Sequence, residues 1–295
     1  MRFPILLAAD LHGVERHYEL LAAYAQYAKP KAIIIAGDIT PSVDDCIVPS
    51  VQRTFLEHRL IPLLAPIKDH DPATGIYLIL GNDDCSSNND LFEKPNEVYT
   101  AIHGRRVPLN SDFDIAGYSF VPITPFDVKD FEKFDLSTVD DRVRPAYERL
   151  MKQWKLKGSR SSASGFEEVL LSPEMGAIDS IQHDLMSELY AKSPDRTIYV
   201  IHSPPHGSAL DVTLNKDREK IHVGSIAVRE FIEKRQPYVT VHGHIHETVM
   251  LTGAFGQQIG KTISMTPGHE YHTGWLAAVL FDLYDPMKAV RFGVQ

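Results

Sequence analysis

Cysteine is nearly absent: Cys46 and Cys85 are the only two in 295 residues. So small a number excludes a disulfide framework and suits a reducing compartment. Long apolar runs are also missing. No stretch approaches the roughly 18 uninterrupted apolar residues that a membrane span needs. The apolar start, Met1 to Ala9, is cut by Asp10 before a signal segment could be completed. These absences predict a cytoplasmic protein with no membrane partner. Positive charge is in deficit. A formal net charge of -9 argues against non-specific binding to nucleic acid or anionic membranes. No internal repeat of fixed period is present. What remains, 43% hydrophobic and 23% charged residues, is the balance of an ordinary globular protein.

Within that composition one pattern recurs five times. An apolar run of β character stops, and a side chain able to bind a metal follows at once. Residues 3–9 lead into Asp10 and His12, and residues 32–36 into Gly37-Asp38. Residues 76–80 lead into Gly81-Asn82, and residues 197–201 into His202. Residues 238–241 lead into His242-Gly243-His244-Ile245-His246. Side chains at the ends of adjacent strands converge in space, however far apart they lie in sequence. Asp10 and His12, two apart on an extended chain, point to the same side. Glycine precedes Asp38, Asn82 and His244, where it lets the backbone turn sharply beside an ion. The Pro pair after His202 stiffens its loop. Only oxygen and nitrogen donors occur, which points to hard or borderline metals.

Between these runs the first third alternates strand with helix. Helices are expected at 14–28 and at 47–67, the second broken near Pro62 and Pro66. Residues 111–123 read as paired strands with Gly117 at a bend. From about 124 to 195 the chain turns polar. Helices are expected there at 140–154 and 173–191, the latter with Ser172 as N-cap. The Ser- and Gly-rich stretch 157–165 between them reads as a flexible loop. A helix is expected near 225–235. Strands are expected at 247–252, 261–265, 275–281 and 289–293, with a turn at 253–256. The predicted fold class is α/β: a four-layer α/β/β/α sandwich of two stacked mixed sheets flanked by helices. It is one domain over 1–295, with a helical and loop insertion at about 124–195. The metal site is expected at the C-terminal ends of the strands.

In chain order the motifs read Asp-x-His, Gly-Asp, Gly-Asn, His and Gly-His-x-His. That order resembles the calcineurin-like metallophosphoesterase superfamily, over Asp10 to His246. The segments His202-Ser203-Pro204-Pro205-His206-Gly207 and Val223-Gly224-Ser225 resemble its Icc-like branch, as does the histidine cluster from His242. Thr266-Pro267-Gly268 resembles the family's usual Asn-Pro-Gly. The resemblance implies two divalent ions, drawn from Mn2+, Fe, Zn2+ or Ni2+. Asp10, His12 and His246 would hold the first, and Asn82, His202 and His244 the second, with Asp38 bridging. It also implies phosphoester hydrolysis of a small substrate by a hydroxide shared between the ions. A diester is favoured; a phosphomonoesterase and a non-enzymatic scaffold are the alternatives. Asp38, Asn82, Asp83 and His202 would act in catalysis.

One position departs from the family pattern. The third motif usually reads Gly-Asn-His, and here it is Gly81-Asn82-Asp83-Asp84. An ionised Asp83 could not donate a proton to a leaving group and would repel a phosphate. His103, His206, His222 and His242 are therefore candidates for contacts to substrate or for orienting ligands; His269 and His272 extend the set of donors.

Overall fold

The computed structural model describes residues 2–43, 46–137, 156–269 and 274–295. Two six-stranded mixed sheets carry the architecture. The first runs, in spatial order, Asp285–Val294, Leu276–Asp282, Pro4–Ala8, Ala32–Ala36, Gly75–Ile79 and Thr100–Ala101. Its last four strands are mutually parallel, and the two C-terminal strands join antiparallel. The second runs Gly256–Ile259, Thr262–Met265, Val239–Val241, Thr197–Ile201, Asp114–Tyr118 and Arg106–Pro108. Four parallel strands form its centre, with an antiparallel strand at each edge.

Side-chain alternation explains the layering. Ile5 and Leu7 of the first strand face one way, with Ile34, Ile79, Ile198, Val200, Val239, Val241 and Val279, and fill the space between the sheets. Leu6, Ala8, Ile33 and Ile35 face the other way. They pack against Tyr18, Leu21, Phe55, Leu60 and Leu64 of the helices Glu15–Ala28, Pro49–His58 and Leu60–His70. On the outer face of the second sheet, Tyr118, Tyr199 and Ile201 meet Val228, Phe231 and Ile232 of the helix Ile226–Arg235. Phe134, Leu136, Leu171, Ile181, Leu185 and Tyr190, from the segment expected as an insertion, join that same cluster. No helix among the described residues is long and apolar enough to cross a membrane.

Several local expectations need correction. Residues 247–252 form the helix Thr248–Thr252, not a strand. The Thr248 hydroxyl, bonded to Val212 N at 3.1 Å and Ala209 O at 3.0 Å, fixes that turn against the loop after His202. The expected loop at 157–165 is the start of a hairpin, Lys157–Ser162 with Gly165–Leu170, in full antiparallel register. Helix 47–67 breaks at Arg59 rather than at its prolines. Pro62 falls in the first turn of the second helix, where a missing N–H costs nothing. Gly117 lies inside a strand, opposite Val200, not at a bend. Residues 173–191 hold three short helices; Ser172 is the N-cap of the first, as expected, but the capping side-chain bond is made by Ser180, to His183 N at 3.1 Å. The strand Gly256–Ile259 replaces part of the expected turn. The helix expected at 140–154 and His272 lie outside the described residues.

Candidate metal centre

Backbone pairing continues past the strand ends and sets the loops that carry the candidate ligands. Asp10 N donates to Gly37 O at 3.0 Å and His12 N to Asp38 O at 2.8 Å. On the second sheet Gly243 N donates to His202 O at 3.0 Å. These loops hold an unusual backbone. Asp10, His12, Asp38 and His244 have φ of 55, 46, 50 and 71°. They are half of the eight non-glycine residues in left-handed conformation among the described residues. Such conformations cost free energy and persist where surrounding structure over-determines them, typically at functional sites.

Two glycines make the convergence sterically feasible. A Cβ at Gly37 would collide with the His202 imidazole, and one at Gly81 with Asp38 Oδ1 and His202 Nε2. Ligands from the second sheet thus come to rest against the loops of the first.

Asp10, His12, Asp38 and His246 each offer an atom, and all four atoms lie within 4.8 Å of one another. His12 Nε2 and His246 Nε2 are 3.2 Å apart. Asp10 is fully buried; its Oδ1 accepts His244 N at 3.0 Å, while its Oδ2 has no hydrogen-bond partner. An orphaned carboxylate oxygen, facing two imidazoles and a second carboxylate, fits a cation and nothing apolar. Beside this group, His202 Nε2 lies 3.2 Å from both Asp38 Oδ2 and Asn82 Oδ1. The His202 and His244 rings are 5.3 Å apart. The structure therefore brings together all seven residues singled out as ligands.

The ion-free electrostatics are those of a site built for positive charge. Burial would raise the Asp38 carboxyl, but His202, His12 and the Asp83 N–H together outweigh it and hold the group well below the usual range. Burial likewise opposes charging His202, yet Asp38 and Asp10 push it up to about 10. His244 is driven down to about 3 by burial and by His202, so its ring is neutral with a lone pair to give. Burial raises Asp83 to about 8, with help from the charges of Asp38 and Asp84.

Asp83 touches three of these residues, Asp38, Asn82 and His12. Its N–H donates to Asp38 Oδ1 at 2.8 Å. Its Oδ1 accepts Asn82 Nδ2 at 2.8 Å, and its Oδ2 lies 3.8 Å from His12 Nδ1. Asp84, which has no role in the motifs, is fully buried and receives four donors: Ile39 N, Thr40 N, the Thr40 hydroxyl and Gly81 N. It ties the loop of Asp38 to the loop of Asn82. No periodicity or motif marks such a residue; only the folded loops do.

The remaining histidines separate. His242 is fully buried, with Nδ1 2.9 and 3.0 Å from Ile201 O and Ser203 O and Nε2 2.8 Å from Thr240 Oγ1. Both ring nitrogens are thus occupied in joining strand ends. His103 Nδ1 accepts Ser119 N at 3.0 Å, and its ring packs among Tyr118, Phe120 and Phe131; burial pushes it down to about 4. His206 and His222 converge on Asp211, apart from the seven. His269, absent from the five motifs, packs 5.5 Å from the His246 ring and 5.5 Å from His17.

The family model for calcineurin-like phosphoesterases matches residues 3–248, the span that holds all seven converging side chains. The chain belongs to the calcineurin-like phosphoesterase family. Membership places it among metal-dependent phosphoester hydrolases. Among solved structures it is similar to TT1561 of Thermus thermophilus, at 15% identity and TM-score 0.55, over 100% of both chains. It is similar also to a dimetal phosphatase from Danio rerio, at 12% identity and TM-score 0.50, over 99% of this chain and 95% of that one. At such identities the likeness is one of fold. No curated protein matches the chain in sequence.

Proposed function

We propose that this phosphoesterase hydrolyses phosphodiesters with two divalent ions. Asp10, His12 and His246 would hold one, Asn82, His202 and His244 the other, and Asp38 would lie between them. The observation that carries this reading is the position of Asp38, whose carboxylate belongs to the four-residue group and also sits 3.2 Å from His202. Bound ions of this kind activate water for attack and neutralise charge on the phosphoryl oxygens. The chain's own residues hold and aim the donors. Asp38 is fixed by the Asp83 N–H, Asn82 by the Asp83 carboxylate, and the His202 ring by Ala36 O, 2.7 Å from its Nδ1.

The likeness of the segments at 202–207 and 223–225 to the Icc-like branch favours a diester over a monoester. Turnover of an aryl diester and an aryl monoester by Mn2+-loaded protein tests this. The diester should be the better substrate by kcat/KM; a preference for the monoester reverses the reading. Protein that neither binds divalent ions nor hydrolyses either ester would be a scaffold on the same fold.

Asp83 takes a positioning role here rather than that of the proton donor it replaces. It accepts the Asn82 amide N–H, which turns Asn82 Oδ1 toward His202. Losing such an outer partner typically lowers metal affinity 10- to 100-fold. Asp83→Ala should therefore weaken Mn2+ binding by about that factor, as read by chelator competition, without loss of fold. Unchanged affinity would show that Asn82 and His12 need no such support.

A further inference from the structure

Outside the seven residues, one cluster combines a buried carboxylate with two exposed imidazoles. Asp211 is fully buried. Gly207 N, Ser208 N and Gly224 N donate to it, each at 3.0 Å. Three backbone donors fix the direction of the carboxylate. His222 Nδ1 lies 2.7 Å from its Oδ1 and His206 Nδ1 3.6 Å from its Oδ2. Side-chain exposures of 46% and 41% leave both rings open to solvent.

A carboxylate can only accept, so at His222 the Nδ1 that faces it donates and Nε2 is left as the acceptor, while His206 Nδ1, at 3.6 Å, faces the same carboxylate without a hydrogen bond. Neither Nε2 makes a hydrogen bond among the described residues. Imidazoles that bind metals almost always give their other N–H to a carboxylate or carbonyl in this way. The two rings are 5.9 Å apart between centroids, at 73°. The pairs within the seven are 5.0 Å (His12 and His246) and 5.3 Å (His202 and His244). Imidazoles that share one ion at a metal–nitrogen distance of about 2.1 Å have centroids roughly 5–6 Å apart.

The bite between the rings is fixed by the backbone. His206 N donates to Ser225 O and Ser225 N to Pro204 O, both at 2.9 Å. His222 ends a short strand paired with Val212. The two loops are thus clamped on either side of the carboxylate, so binding an ion would order little that is not already ordered.

We propose that His206 and His222 form an ancillary site for one borderline divalent cation of the Zn2+, Ni2+ or Cu2+ kind, oriented by Asp211. Imidazole nitrogen suits those ions and not Mg2+ or Ca2+. Water completes the coordination, which makes the site weaker than one with three protein ligands. It does not depend on the phosphodiester reading, and its test does not use activity.

Full-length protein, stripped by a chelator, is titrated calorimetrically with Zn2+. His206→Gln and His222→Gln should each take up one zinc fewer than the native chain, whatever the native total, with unchanged thermal melting. Equal zinc in the native chain and both variants overturns the site. A second readout needs no substitution. Ni2+ added to the native chain should broaden the imidazole NMR signals of His206 and His222 together. If Ni2+ occupies the protein and leaves both signals sharp, the proposal falls.

Discussion

Asp38→Asn is expected to lower hydrolysis by at least about a thousandfold, the effect of several kcal/mol of lost charge stabilisation. The amide keeps the shape of the side chain but removes the charge and one of two equivalent acceptors. Asp38 is 1% exposed, so no solvent-borne group can take its place. In the native chain its carboxylate balances His202 at 3.2 Å and accepts Asp83 N at 2.8 Å. Metal analysis of the variant should find fewer ions per chain than in the native protein. Full activity with undiminished metal content would remove Asp38 from its bridging position.

Asp84→Ala is expected to act on stability instead. It strands the N–H groups of Ile39, Thr40 and Gly81 in a buried loop junction. Each unsatisfied donor costs about 1–3 kcal/mol, and neighbouring losses are not strictly additive, so about 3–5 kcal/mol is expected in all. Urea unfolding of metal-free protein measures it. Asp84→Asn, which keeps an acceptor oxygen, should recover part of the loss. A change below about 1 kcal/mol would mean that water satisfies these groups as well as the carboxylate does.

The strands Ala32–Ala36 and Thr197–Ile201 were legible to the residue, because both are short runs rich in Ile and Val, buried on both faces. The hairpin Lys157–Leu170 was not. Its residues are mostly Ser, Gly, Glu, Lys and Arg, and pairing rests on cross-strand contacts such as Lys157 with Glu168 at 2.7 Å. Composition cannot reveal a strand held by its partner. Residues 248–252 carry Val, Met and Leu, and alone read as β. Thr248 and its bonds to the loop at 209–212 made them helical.

The seven metal-binding candidates were legible for a related reason. Each follows the end of a buried parallel strand, or lies in the loop just beyond it, and parallel strands in one sheet deliver their ends to one edge. Asp84 and Asp211 were hidden, since neither belongs to a motif: Asp84 collects N–H groups from the distant loop of Ile39 and Thr40, and Asp211 from its own loop and from Gly224.

Scarcity of cysteine, the absence of long apolar runs and the acidic balance bounded the protein's class from sequence alone. The strand-to-ligand order then named the candidate donors and pointed to the family. Tertiary structure alone decided how those donors meet. It placed Asp38 against His202, gave Asp83 to Asn82 and His12 rather than leaving it free, and set His206 and His222 on one carboxylate. Sequence records which groups are available, because chemistry resides in residue types. Distances between groups arise only when two sheets stack, and those distances determine what a carboxylate or an imidazole can bind.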